Sequence, residues 1–144
     1  SRMDEIQAAM LTEKLCDLDV ISDKRRQLIT LYIELLSPVK DHISLIPYQE
    51  ESSPHLAIAA LSDPRRRQDF IDFMHKSGVQ IGIHYKEPCH SQPCIDKALV
   101  QIDPFSRNQA TIISSKIVSL PLSECHTSNE IKYVASVICR YFQR

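Results

Sequence analysis

The sequence predicts an α/β fold of the α+β kind, with a small and mostly antiparallel sheet that carries helices on one face. Two strand-like stretches, residues 42–48 and 55–61, are joined by a short polar turn, which favours an antiparallel pair. A third stretch, residues 79–85, is reached through a helix, and helical periodicity dominates both ends of the chain. The predicted sheet is therefore preceded by a long helical segment.

The N-terminal quarter shows two runs of helical periodicity. The first covers residues 3–18, and the second extends from Ser22, a candidate N-cap, to Pro38, which ends it. The pattern leaves open whether the two runs form one bent helix or two helices. Because the apolar stripe of the first run is wider than a small domain needs, we expect it to pack on something outside this domain. This feature indicates a piece of a longer protein.

A helix is predicted to begin at Asp63-Pro64, because Asp is a favoured N-cap and Pro fits the first helical position. The basic run 65–67 at its start is interpreted as a solvated surface. Gly78 stands where a residue of left-handed conformation commonly ends a helix, and the predicted strand 79–85 follows it.

The last third is predicted to contain two further helices and one extended stretch. Residues 86–104 are proline-containing and irregular, with room for one short helix. Residues 106–115 are weakly helical, and residues 117–122 are extended. A final helix follows Thr127 and Glu130, which have the spacing of a capping box.

Composition argues against several classes of protein. The 17 basic and 18 acidic residues almost balance, which gives no support for binding to nucleic acid. No apolar run approaches the roughly 20 residues that cross a bilayer, and no signal peptide pattern is visible. Five cysteines without a disulfide framework indicate reduced thiols and a cytoplasmic protein. With only two glycines, the chain has no self-contained Rossmann or P-loop nucleotide site.

The segment 78–93, GVQIGIHYKEPCHSQP, resembles a motif of the sugar aminotransferases of the DegT/DnrJ/EryC1/StrS family. The matching positions are Gly78, Ile83, His84, Tyr85, Pro88, His90, Gln92 and Pro93. The helix start at residues 1–9 and the stretch 119–122 before Thr127 also resemble the family. Glu124 and His126 stand where the family has proline and leucine.

The resemblance implies the small C-terminal domain of a type I pyridoxal-phosphate-dependent aminotransferase fold. Residues 1–36 would then be a helical segment linking to a missing large domain, and residues 37–144 would be the small domain. The intact enzyme would be a homodimer that moves an amino group from glutamate to a nucleotide-linked keto-sugar in amino-sugar or polysaccharide biosynthesis.

No catalytic residue is assigned to this chain, because none of its lysines lies in the family's lysine motif. The eight lysines are Lys14, Lys24, Lys40, Lys76, Lys86, Lys97, Lys116 and Lys132. We therefore expect no bound pyridoxal phosphate and no transamination from this chain alone.

The resemblance also implies which residues contact substrate and cofactor. His84, at the end of a predicted strand, is expected to contact the sugar nucleotide, and His90 and Gln92 in the following loop are expected to contribute to the same pocket. Tyr85 is included as a substrate contact, although strand alternation favours a packed position for it. Arg2 matches an arginine near the cofactor site.

Other functions remain open at this point. Cys89, Cys94 and the neighbouring histidines could suggest zinc, but their spacing is loose and no metal site is predicted. The sugar dehydratases of the same family are one alternative, and a binding or interaction domain without chemistry is another. The first helix distinguishes an independent binding domain from a part of a larger protein. An uncovered apolar face on this helix would indicate a part of a larger protein, and a covered face would support an independent domain.

Overall fold

The computed structural model describes residues 3–49, 52–95 and 103–144. The helices are α1 (Glu5–Leu15), α2 (Leu18–Leu36), α3 (Arg67–Lys76), α4 (Pro104–Lys116) and α5 (Ser128–Phe142). The strands are β1 (Ile43–Leu45), β2 (Ala57–Leu61) and β3 (Ile117–Leu120). Short 3-10 turns cover Ser37–Val39, Pro64–Arg66 and Cys89–Ser91. This architecture confirms the predicted fold class.

The three strands form one antiparallel sheet in the order β1-β2-β3. Ile43 lies opposite Leu61, and Ala57 lies opposite Leu120. Because side chains alternate along a strand, this register gives the sheet two distinct faces. The core face carries Ile43, Ala57, Ala59, Leu61, Val118 and Leu120. The second face carries Ile58, Ala60, Ile117 and Ser119.

One hydrophobic core joins the core face to α2, α3 and α5. Phe70, Tyr32 and Tyr141 are its largest fully buried side chains. Both tyrosine hydroxyls are satisfied, since Tyr32 donates to the carbonyl oxygen of Pro121 at 3.0 Å and Tyr141 donates to Asp69 at 2.7 Å. Burial raises the pKa of both tyrosines, which remain neutral donors in the physiological range.

The N-terminal region consists of two helices, α1 and α2, which are separated by residues 16–17. The prediction that Ser22 caps the second helix is wrong, because α2 begins four residues earlier. Ser22 is instead buried inside α2, where its hydroxyl lies 2.8 Å from that of Ser53. Serine is common at N-caps and also occurs inside helices where its hydroxyl finds a partner, so the sequence alone did not separate the two positions.

Helix α1 contributes nothing to the hydrophobic core of the described structure. None of its residues is buried. The exposed apolar side chains of this helix and the start of α2 are Met3, Ile6, Met10, Leu11, Leu15, Leu18 and Val20. By contrast, the second half of α2 lies in the core, where Leu28, Ile29 and Leu36 are buried. The predicted division into a linking segment, residues 1–36, and a small domain, residues 37–144, stays a prediction, because it concerns a longer protein.

The prediction of a full strand over residues 79–85 is wrong. Only Gly82 pairs with the sheet, through two backbone hydrogen bonds with Ser119 of 3.1 and 2.8 Å. The chain turns away at His84 and Tyr85, which limits the pairing to a single bridge on the outer edge of β3.

Local signals at helix ends are confirmed. The Asp63 carboxylate accepts from the backbone N–H of Arg65, Gly78 has a φ of 75°, and Thr127 and Glu130 form the capping box of α5. The irregular segment after residue 85 contains a 3-10 turn at Cys89–Ser91, and α4 is capped by Asp103.

The basic run 65–67 is only partly the solvated surface that we expected. Arg65 pairs with Asp63, whereas the guanidinium of Arg66 lies 4.8 Å from the ring centroid of Tyr141. Arg67 donates to the backbone oxygen of Ser114. Across residues 3–49, 52–95 and 103–144, no helix has the length and apolarity of a membrane span.

Candidate functional site

The second face of the sheet carries His84, the main predicted site residue. Its imidazole is exposed, and its Nδ1 lies 2.9 Å from Oγ of Ser119. Ser119 is 5% exposed and occupies the middle of β3, with its side chain on the second face because Val118 and Leu120 point into the core. His84 is therefore a surface residue anchored to a buried hydroxyl, and it does not belong to the hydrophobic core.

Gly82 lets the imidazole approach the sheet. A Cβ atom built on Gly82 would lie 3.0 Å from Cε1 of His84. The backbone of Gly82 is also the group that pairs with Ser119. The same two residues, Gly82 and Ser119, thus fix the chain and the ring of His84 together.

Tyr85 lies beside His84 and is 75% exposed, so the packed position expected from strand alternation is wrong. The physical reason is that residues 84–85 form a turn, in which alternation across a sheet no longer applies. The two rings meet edge to face, with centroids 5.7 Å apart and an interplanar angle of 80°. An exposed phenol beside an exposed imidazole is available to a ligand.

His90 and Gln92 lie in the loop that follows. Nε2 of His90 lies 3.3 Å from Oγ1 of Thr111 on α4, and the Gln92 amide donates to the backbone oxygen of Glu87 at 3.3 Å. Both residues are partly buried and their contacts stabilise the loop. Of the predicted substrate contacts, the structure brings His84 and Tyr85 together, and it gives His90 and Gln92 loop-supporting partners.

Arg2, the predicted cofactor contact, lies outside the described residues. The two contact partners that sequence reasoning missed are Ser119 and Thr111. Ser119 stands in the family-like stretch 119–122, so its position between two core residues of a strand was the available signal. For Thr111, on the exposed side of α4, the sequence carries no comparable signal.

The described lysines lie mostly at the surface of the molecule. A lysine that bonds to a cofactor works in a shielded pocket. Of the lysines described, Lys116 is half-buried at the end of α4 and the others are exposed, while Lys97 lies outside the described residues. Within residues 3–49, 52–95 and 103–144, no three His, Cys, Asp or Glu side chains are grouped as metal ligands.

The turn before α5 contains Glu124 and His126, which depart from the family pattern as Gly82 and Cys89 do in the segment 78–93. Glu124 accepts from Arg25 of α2 at 2.6 Å, an ion pair across the fold. Its own backbone N–H and the Arg25 guanidinium hold the pKa of the Glu124 carboxyl below its usual range. His126 lines a cavity of about 680 Å³ with Gln80, Asn129 and Tyr133. His84 is not among the residues that line this cavity.

Comparison with known proteins gives a consistent result. Residues 1–139 match the DegT/DnrJ/EryC1/StrS aminotransferase family. The dTDP-3-amino-3,6-dideoxy-alpha-D-galactopyranose transaminase of Aneurinibacillus thermoaerophilus is 29% identical over 141 residues, which cover 98% of this chain and 37% of that protein. The chain thus spans little more than a third of the length of this relative.

Solved structures share the fold. S. venezuelae DesV, in complex with a ketimine intermediate, superimposes with a TM-score of 0.84 at 24% identity over 99% of this chain and 38% of its own. A DegT DnrJ EryC1 StrS aminotransferase from Brucella abortus gives a TM-score of 0.85 at 23% identity, over 99% of this chain and 37% of its own.

Proposed function

This chain belongs to the DegT/DnrJ/EryC1/StrS aminotransferase family, and we propose that it is part of a pyridoxal-phosphate-dependent enzyme that transfers an amino group to a nucleotide-linked keto-sugar. The observation that carries the proposal is the placement of His84, exposed on the second face of the sheet within the segment that resembles the family motif. In this proposal the second face forms one wall of a substrate pocket, and other parts of a longer protein supply the cofactor and its lysine.

The chemistry of the second face suits a sugar nucleotide. Imidazole and phenol groups can hydrogen-bond to hydroxyl and phosphate oxygens, and the aromatic faces can pack on a ring. Because the relative from Aneurinibacillus thermoaerophilus is named as a sugar transaminase, its substrate class is the first to test. Glutamate is the proposed amino donor.

A chimaera tests the proposal directly. In the Aneurinibacillus thermoaerophilus transaminase, the segment that aligns with this chain is replaced by residues 1–144. We expect the chimaera to bind pyridoxal phosphate and to transfer the amino group of glutamate to a dTDP-linked keto-sugar, followed by mass spectrometry of the product. A folded, cofactor-loaded chimaera that turns over none of a panel of nucleotide-linked keto-sugars would contradict the proposal.

His84→Ala in the same chimaera tests the role of the second face. Loss of one hydrogen bond to substrate costs roughly 1–3 kcal/mol, so kcat/KM for the sugar nucleotide is expected to fall about 5- to 150-fold. The cofactor absorbance should be unchanged, because His84 is assigned to the substrate. His55→Ala is the matched control, because His55 is an exposed histidine that lies outside the segment 78–93.

A further inference from the structure

We propose that Ser119 is a positioning residue, which holds neutral His84 as the tautomer protonated on Nε2 and thereby makes His84 a hydrogen-bond donor toward substrate oxygens. The inference deepens the proposed function and, for its consequence on turnover, rests on it. The tautomer itself is a property of this chain and can be tested without any enzyme activity.

The position of Ser119 is fixed on both sides. β3 pairs with β2 along one edge, and the N–H and C=O groups of Ser119 both bond to Gly82 along the other. Its side chain is 5% exposed, so its hydroxyl cannot turn freely to water. Ser119 therefore presents its Oγ to His84 from a nearly immobile site.

The donor in this contact follows from the number of available partners. The Ser119 hydroxyl carries one proton, and Nδ1 of His84 at 2.9 Å is its only recorded side-chain partner within the described residues. If Nδ1 carried the imidazole proton, the buried hydroxyl proton would be left without an acceptor, which costs about 1–3 kcal/mol. The hydroxyl therefore donates to Nδ1, and the proton of the neutral ring lies on Nε2.

The consequence is a preference in ligand chemistry. With Nδ1 occupied by Ser119, the ring edge that remains for a ligand is an N–H donor. Its partners are oxygens with lone pairs, such as those of a phosphate or a sugar hydroxyl acting as acceptor. An ammonium or amide N–H group has nothing to bind there, so the site selects against nitrogen donors at this position.

Nitrogen NMR of the chain labelled with 15N-histidine tests the tautomer. At about pH 8.5, roughly two units above the usual histidine pKa of 6.5, the rings are neutral. We expect His84 to show a protonated Nε2 and an unprotonated Nδ1. In Ser119→Ala the ring loses its anchor, and the two nitrogen shifts should move toward the values of a freely exchanging imidazole.

Two further variants provide the controls. Ser119→Thr keeps the hydroxyl and should retain the wild-type pattern. Ser44→Ala removes an exposed hydroxyl from β1 of the same sheet and should leave the His84 signals unchanged. A protonated Nδ1 in the wild-type chain would overturn the proposal, as would identical His84 shifts in the wild-type chain and Ser119→Ala.

The readout separates this inference from the proposed function. If the tautomer is as expected but the chimaera is inactive, the aminotransferase proposal fails and the positioning role stands. If the chimaera is active while His84 is protonated on Nδ1, the reverse holds. Where both hold, Ser119→Ala in the chimaera should raise KM for the sugar nucleotide several-fold, with Ser119→Thr restoring it.

Discussion

The two glycines of the chain are needed for different reasons. Gly78 has a left-handed φ of 75° and open space where a Cβ would lie. Gly82 has an ordinary backbone, but a Cβ there would lie 3.0 Å from Cε1 of the His84 ring. One glycine is required by backbone conformation and the other by the close approach of a side chain.

Alanine at each glycine separates these two effects. Gly78→Ala is expected to lower the free energy of unfolding by about 1 kcal/mol, the usual cost of a left-handed non-glycine residue. Gly82→Ala is expected to leave that free energy nearly unchanged and to push the exposed His84 ring away from Ser119. Urea unfolding and the His84 nitrogen shifts measure the two effects. Equal destabilisation by both variants would contradict this distinction.

Arg25 and Glu124 predict a pH dependence of stability. Because the folded-state pKa of Glu124 is depressed, its contribution to stability is present above its usual pKa of 4.5 and is lost as the pH falls through the lower, folded value. Glu124→Gln should therefore be less stable than the wild-type chain at pH 6 and lose less stability on acidification to pH 3. Urea unfolding at both pH values checks this.

A parallel acid dependence in the two proteins would show that the Arg25–Glu124 pair contributes nothing to it. Asp23→Asn is the matched control, because Asp23 pairs with Arg26 on the exposed side of α2. Exposed pairs of this kind commonly contribute little.

At the scale of elements, α5 shows how completely a helix can be specified by its own sequence. Its capping box closes with a 2.7 Å bond from the Thr127 N–H to Glu130 and a 3.3 Å bond from the Glu130 N–H to Thr127. Six of its residues are buried at helical spacing. Both signals are local, which is why the helix and its start were predictable.

Thr127→Ala removes the side-chain half of this cap. We expect the free energy of unfolding to fall by about 1 kcal/mol, the typical value for an N-cap threonine. Ser128→Ala, one residue further along, changes an exposed hydroxyl that caps nothing and should have little effect. Urea unfolding of both variants makes the comparison, and equal stability of Thr127→Ala and the wild-type chain would refute the assignment.

The elements that sequence reasoning described wrongly depend on distant contacts. Residues 79–85 alternate like a strand, but only Gly82 finds a partner, because β3 offers one free edge and the chain turns at His84. Ser22 is of a residue type that is common at N-caps, but its hydroxyl contacts the hydroxyl of Ser53, which is 31 residues further along the chain. His84 was found through its motif, whereas its anchor Ser119 became apparent only once β3 was placed.

Helix α1 predicts self-association. Eleven residues rarely form a stable helix alone in water, and Leu11 and Leu15 are 46% and 63% exposed. We expect dimers or larger species at high concentration, measured by light scattering during size-exclusion chromatography. Leu11→Glu with Leu15→Glu should shift the chain toward monomer, and Lys14→Glu on the same helix should not. A strictly monomeric wild-type chain would contradict this expectation.

At the scale of the whole molecule, the described lysines predict how the chain behaves with cofactor. Because they are exposed or at most half-buried, we expect only weak and reversible surface adducts with pyridoxal phosphate. The chain is mixed with the cofactor, dialysed and scanned for absorbance, and any remaining adduct is located by peptide mapping. A dialysis-resistant adduct on one specific lysine would show that the chain holds the cofactor alone.

The pairing of α2 with α5 has a consequence for the order of events during synthesis. Leu35 and Cys139 are 104 positions apart yet meet through the Cys139 thiol and the Leu35 carbonyl, and Tyr32 reaches Pro121 across 89 positions. The ribosome must therefore release nearly all of residues 28–141 before α5 can pack on the buried side of α2. During translation that side stays exposed to chaperones, and folding of this unit is a late event.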